Sequence, residues 1–387
     1  MSSYKFISIA FIFSLILYGC NSAANKSKES FSDSTGYVAP TPGNISPEDF
    51  NRYHDGIKEY YEKNLVDRGF NGGILVAKKG RIIFEDYHGF SNLKKKDSLT
   101  SHSPFHLASV SKTFTGMAIL KLAEMGKLSL NDDVKKYFPA FPYDSVTVKL
   151  LLNHRSGLPN YTHFMENLGW NKKQYCSNKD VLDYMVEFKP IGTGKPDTHF
   201  SYCNTNYILL ALIIEKASQQ TYADFLKQVF FKPLQMDDSY VFTMATDSAT
   251  AMPSYDWRGK QEAFTFLDAN FGDKNIYSTP GDLLKWDQAL YANELFTKET
   301  MEEAFTPYSN EKPGIRNYGL GWRMNVYPDG RKVIYHNGWW HGNNTVFIRM
   351  IQDSVTIIVL GNKYNRAIYQ SKKMADVFGS GLVIEDE

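Results

Sequence analysis

Cysteine is scarce. The 387 residues contain three, Cys20, Cys176 and Cys203, too few for a disulfide-built scaffold and nowhere at zinc spacing. The nine histidines are scattered and no H-E-x-x-H occurs, so neither a metal nor another cofactor is expected. A glycine-rich phosphate loop is missing. So is G-x-S-x-G, which argues against the nucleophile elbow of α/β-hydrolases. No charge of one sign dominates: 43 Lys and Arg stand against 42 Asp and Glu, a net charge of +1. Without a long basic stripe, nothing points to a nucleic-acid partner. Apolar residues make up 43% of the chain and aromatics 15%, ample for a large core.

The N-terminus reads as an export signal rather than as part of the fold. Lys5 precedes an apolar stretch from Phe6 to Leu17, too short to span a membrane comfortably. It ends in Leu17-Tyr18-Gly19-Cys20, so residues 1–20 resemble a bacterial lipoprotein signal, with cleavage before Cys20 and lipid attached to that thiol. That implies an exported protein on the cell envelope, touching the membrane through its lipid anchor. Residues 21–48, rich in Ser, Asn, Ala, Lys and Pro, read as a flexible tether. The folded domain is then 49–387. Cys176 and Cys203 could pair, although two free thiols are the favoured reading.

Periodicity predicts an α+β fold. Ile57 to Val66 has helical spacing. Gly73–Lys78 and Arg81–Tyr87 read as strands joined at Lys79-Gly80. Residues 132–292 are mainly helical, with segments at Val181–Phe188, Tyr207–Ala217, Tyr222–Phe231 and Pro280–Tyr291. The period then changes to two in Lys332–Tyr335, Thr345–Met350 and Val355–Leu360, and a helix from Ile368 to Phe378 closes the chain. Early and late strands together suggest one antiparallel sheet built from both ends of the sequence. The helical middle is inserted beside it, with a cleft where the two parts meet.

Ser109-Val110-Ser111-Lys112 opens the apolar run Thr113–Leu122. A lysine three residues after a serine lies on the same helical face, with Cβ atoms about 5–6 Å apart, close enough to take the hydroxyl proton. The helix start adds free N–H groups and a positive dipole end. The same spacing occurs at Ser2/Lys5, Ser91/Lys94 and Ser309/Lys312. These lie in the export signal, in a polar stretch and between two prolines, so only Ser109 heads an apolar helix. Two further short motifs stand beside regular elements. Tyr202-Cys203-Asn204 precedes a helical run, and His336-Asn337-Gly338 ends a predicted strand.

The ordered set S-x-x-K, Y-x-N, H-x-G resembles the serine β-lactamase and penicillin-binding-protein family, in its class C-like branch. Leu151-Leu152-Asn153-His154-Arg155-Ser156-Gly157-Leu158-Pro159, Pro233-Leu234-Gln235-Met236 and Tyr318-Gly319-Leu320-Gly321-Trp322 are similar to further stretches of that branch. The resemblance runs from about Gly72 to the C-terminal helix. It implies a β-lactamase/transpeptidase-like fold and a serine hydrolase cleaving a small-molecule or peptide ester or amide. Ser109 would form the acyl-enzyme, with Lys112 and Tyr202 sharing the base role. Either a tyrosinate stabilised by Lys112 or a neutral Lys112 could take the proton. Asn204, His336 and Gly338 would bind substrate, and the backbone N–H groups of Ser109 and Trp339 would form the oxyanion hole.

Relatives that recognise penicillin usually carry K-T-G at the third motif. His336 replaces that lysine and removes a fixed positive charge, which favours an esterase or aminopeptidase reading. The rival readings are a D,D-peptidase or β-lactamase, and a penicillin-binding or sensor protein without turnover. Trp339 and Trp340 stand where the family tends to have small residues. Alternation should send one of them inward.

Overall fold

Seven antiparallel strands frame the molecule in a computed structural model that describes residues 1, 40–292 and 294–385. Cys20, the export signal and most of the tether lie outside the described residues. The strands are β1 (Gly72–Lys78), β2 (Arg81–His88), β3 (Arg316–Tyr318), β4 (Arg323–Val326), β5 (Lys332–Trp340), β6 (Asn343–Met350) and β7 (Val355–Gly361). Their order across the sheet is β2-β1-β7-β6-β5-β4-β3. The two ends of the chain meet at the β1–β7 pair, in register from Gly72 opposite Gly361 to Lys78 opposite Val355. The fold is α+β, with the helical middle inserted between β2 and β3.

Five late strands form where three were expected. β3 and β4 span three and four residues, too few to display a period of two. β5 continues to Trp340, past the predicted end at Tyr335, because Asn337 and Gly338 interrupt its apolar alternation without breaking the strand. Helix α1 (Pro47–Asn64) also starts earlier than its apolar spacing suggests, inside the stretch read as tether. The Ser46 hydroxyl accepts from the Asp49 N–H, and Pro47 occupies the first turn, so capping sets this boundary.

One face of the sheet buries Ile74, Val76, Val346, Ile348, Ile357 and Val359 against Ile57 and Tyr61 of α1 and against Ile368 and Met374. Those last two belong to the closing segment Arg366–Phe378, which is a 3₁₀ helix. Helix α4 (Pro280–Ala289) lies against β7 and β1. There the Arg349–Asp287 ion pair is fully enclosed, and Thr356 donates to the other Asp287 oxygen. Helices α2 (Ser111–Glu124) and α3 (Asn204–Ser218), both largely buried, pack on each other. A small sheet of Phe105–His106, Ile276–Ser278 and Tyr240–Val241 ties the start of α2 to the inserted region. Cys176 and Cys203 are free, buried thiols.

Candidate active site

The 3₁₀ turn Ala108–Val110 delivers Ser109 to the first turn of α2. Lys112, one helical turn on, has no exposed surface. Its Nζ lies 3.0 Å from Ser109 Oγ and donates to the Asp273 carbonyl at 2.8 Å. The Asp273 carboxylate is engaged elsewhere, accepting from the Tyr161 hydroxyl at 2.9 Å and facing Lys274 at 3.5 Å. Among the described residues, no carboxylate therefore pairs with Lys112. Tyr202 brings its ring to Lys112, with Nζ 5.1 Å from the centroid, and the Arg323 guanidinium lies 4.7 Å from the same ring. No hydrogen bond joins the Tyr202 hydroxyl to Ser109 or Lys112 among the described residues.

The cleft in front of Ser109 encloses about 780 Å³ and is lined by Tyr202, Asn204, Asn337 and Trp339, with Arg323 and Arg366 among its cations. Asn204 is the first residue of α3. The opposite wall is β5. Its pairing with β4 stops at Tyr335, so the edge from His336 to Trp340 faces the Ser109 turn without a second strand. Close approach there depends on Gly338. A Cβ at that position would lie 2.2 Å from Thr345 Oγ1 and 2.5 Å from the Leu107 carbonyl oxygen. The turn carrying Ser109, rather than substrate, occupies the space a side chain would need. Gly338→Ala is therefore expected to cost about 1–3 kcal/mol by overpacking. It should also slow acylation about 100-fold by pushing β5 away from Ser109. Urea unfolding and probe-labelling rates check both effects.

His336 sits differently from its expected role as a substrate contact. Its side chain is fully buried. Nδ1 donates to the Asn337 carbonyl at 2.7 Å, and Nε2 accepts from the Tyr318 hydroxyl at 3.3 Å. Strand alternation explains this: residues 336, 338 and 340 share one face, while Asn337 and Trp339 face the cleft. Trp339 is accordingly 64% exposed, whereas Trp340 turns inward and donates to Asp268 at 2.6 Å.

A family model described as Beta-lactamase matches residues 58–377. The chain belongs to the beta-lactamase family. It is 35% identical over 317 residues to penicillin-binding protein 4* of Bacillus subtilis, covering 78% of this chain and 70% of that protein. It is 26% identical over 300 residues to protein flp of Staphylococcus aureus, covering 75% of this chain and 59% of that one. A penicillin-binding protein from Bacillus halodurans superposes with a TM-score of 0.72 at 24% identity, over 82% of this chain and 98% of that one. D-amino acid amidase from Ochrobactrum anthropi gives 0.67 at 20% identity, over 84% and 97%. These relationships make the chain a beta-lactamase-family serine hydrolase.

Within this beta-lactamase-family site, His154 is a residue that motif spacing leaves unassigned. It has no exposed surface and a left-handed φ of 57°. Its Nδ1 accepts from the Cys203 N–H at 3.2 Å and lies 3.1 Å from Asn206 Nδ2. Its ring packs 4.4 Å from that of Tyr202. The Leu151–Pro159 stretch thus fixes the loop carrying Tyr202 and Asn204. Cys203 itself is buried, and burial raises its thiol pKa, which makes it a packing residue rather than a reactive one. Among the described residues no group of His, Cys, Asp and Glu could hold a metal ion.

Three buried histidines share one electrostatic consequence. Burial pushes His154 and His336 well below the ordinary value and His106 down to about 4. The Arg323 guanidinium pushes the first two in the same direction. Each folded-state value lies below the unfolded value of about 6.5. The stability these groups contribute is therefore complete above pH 6.5 and is lost as the unfolded chain takes up protons that the folded one refuses. His106 alone accounts for about 3 kcal/mol between pH 6.5 and 4. Thermal unfolding followed by circular dichroism should show Tm falling steadily through that window.

Proposed function

We propose that this serine hydrolase cleaves an ester or amide through an acyl-enzyme on Ser109, working on the bacterial cell envelope from a lipid anchor at Cys20. The observation that carries the reading is the 3.0 Å approach of a buried lysine amine to Ser109 Oγ at the mouth of an open cleft. Ser109 Oγ bonds to the acyl carbon while its proton passes to a neutral Lys112 amine. The C–O or C–N bond then breaks, and the leaving group departs with that proton. Water attacks the acyl-serine, gives a proton to the same base, and the acid leaves as Ser109 Oγ recovers its hydrogen. Lys112 is favoured as first acceptor because it touches Ser109 and the Tyr202 hydroxyl does not. Tyr202 is the candidate for orienting the deacylating water. Asn204 and the β5 edge would hold the substrate, with the Ser109 and Trp339 N–H groups receiving the oxyanion.

A second feature bears on substrate class. Arg68, Arg323 and Arg366 line the cleft, and among the described residues no acidic side chain does. Cations on other elements thus provide the positive field that His336 does not, which favours a substrate bearing a carboxylate. A peptide with a free C-terminus or a β-lactam meets that description. The relative named a penicillin-binding protein fits it, since penicillin carries a carboxylate, whereas the amide cleaved by a D-amino acid amidase carries none. Incubation with a fluorophosphonate followed by peptide mass mapping tests the mechanism. The adduct is expected on Ser109, and an unlabelled protein or an adduct elsewhere would overturn the reading. Turnover of a chromogenic cephalosporin alongside an uncharged ester separates the substrate classes. Palmitate incorporation that disappears in Cys20→Ser checks the anchor.

A further inference from the structure

Ser109 follows a residue in an unfavourable backbone conformation. Ala108 has φ of 49°, in the left-handed region that residues with a Cβ avoid. Its N–H donates to His106 Nδ1 at 3.0 Å. Nδ1 is therefore the unprotonated nitrogen, and Nε2 carries the hydrogen that is donated to Asn275 Oδ1 at 2.8 Å. The Asn275 orientation is fixed in turn, because its Nδ2 donates to the carbonyls of Asp268 and Asn270 at 2.7 and 2.8 Å. One chain of hydrogen bonds thus runs from the inserted region through an imidazole to the residue before the serine. His106 is 3% exposed and stacks edge-on against Tyr277 at 5.1 Å. Neither residue of the His106–Asn275 pair belongs to the three motifs.

We propose that His106 is a positioning residue that, held by Asn275 in its Nε2–H tautomer, maintains the left-handed turn presenting Ser109 to the cleft. The inference rests on Ser109 being the nucleophile. Only the neutral ring can serve, since a protonated Nδ1 would point an N–H at the Ala108 N–H. Burial keeps the ring neutral, with a pKa near 4. Besides the Tyr277 phenol stacked on it, the charged or titratable groups around it are Asp268, whose field opposes that shift, and His341 and Lys274, whose fields reinforce it.

Fluorophosphonate acylation rates at pH 7 and ester kinetics, measured on wild type, His106→Phe and His106→Asn, test the proposal. Phenylalanine fills the space beside Tyr277 but offers no acceptor. Its acylation rate and kcat are expected to fall at least about 10-fold with KM within about twofold, the pattern of misplaced chemistry rather than lost binding. Asparagine is smaller and polar, yet its side-chain oxygen can accept from the N–H two residues on, as in an Asx-turn. It is expected to stay within about threefold of wild type. A purely space-filling role predicts the reverse ranking. Nitrogen-15 spectra of the intact wild type add a readout independent of any variant's folding. The His106 ring should show the Nε2–H tautomer, unchanged from pH 8 to 5. Wild-type acylation in His106→Phe, an asparagine variant no faster than the phenylalanine one, or an Nδ1–H or charged ring would each overturn the proposal. Absence of any Ser109 adduct on the wild type would instead remove the nucleophile reading and leave the tautomer result standing.

Discussion

Ser109→Ala is expected to abolish covalent labelling and to lower turnover by about 10⁴–10⁶-fold. In the proposed mechanism Ser109 Oγ carries the acyl group, so removing the hydroxyl leaves no pathway through the same intermediate. The residual rate would come from the binding cleft and the backbone N–H donors, which stay in place. Ser109 is only half-buried and its Oγ accepts one hydrogen bond, from Lys112. The substitution therefore leaves the fold intact, with stability within about 1 kcal/mol of wild type. Labelling, hydrolysis of the best substrate and urea unfolding on one preparation check the three parts together. An alanine protein that still turns over at a tenth of the wild-type rate would move the nucleophile elsewhere.

The parts of this site that could be read from the sequence are those carried by short-range spacing. Helical context marks Ser109 and Lys112, and the structure brings them to 3.0 Å. Tyr202 and Asn204 were marked by standing directly before a buried helix, and both line the cleft. The remainder depends on what the sheet and the insertion bring together. Arg323 reaches Tyr202 because β4 ends beside β5, and β4 is too short to announce itself. His106 accepts from the Ala108 N–H and is oriented by Asn275, 169 residues away, while His154 accepts from the Cys203 N–H, 49 residues away. No periodicity encodes that. His336 shows the opposite failure. Its position in a motif suggested a substrate contact, but a strand that presents Asn337 and Trp339 to the cleft must turn its neighbour away. The same parity places Gly338 against Leu107, which is why the turn carrying Ser109 requires this glycine.

Replacing Lys112 by methionine is expected to move activity and stability in opposite directions. The side chain is fully enclosed and contacts two neutral acceptors, Ser109 Oγ and the Asp273 carbonyl. The ion pair that would normally compensate a buried amine is absent among the described residues, because Asp273 directs its carboxylate to Tyr161 and Lys274. A fully buried amine without such a partner is costly. Methionine has nearly the same shape and no such cost. The loss of one hydrogen bond to the Asp273 carbonyl offsets part of the gain. The net expectation is a protein more stable by about 1–2 kcal/mol, with acylation slowed about 10³–10⁴-fold for want of a proton acceptor. Tm and the fluorophosphonate rate constant, measured on the same sample, decide it. A variant that is both inactive and less stable would mean that Lys112 supports the fold rather than working against it. A variant that is stable and still acylates rapidly would transfer the base role to Tyr202.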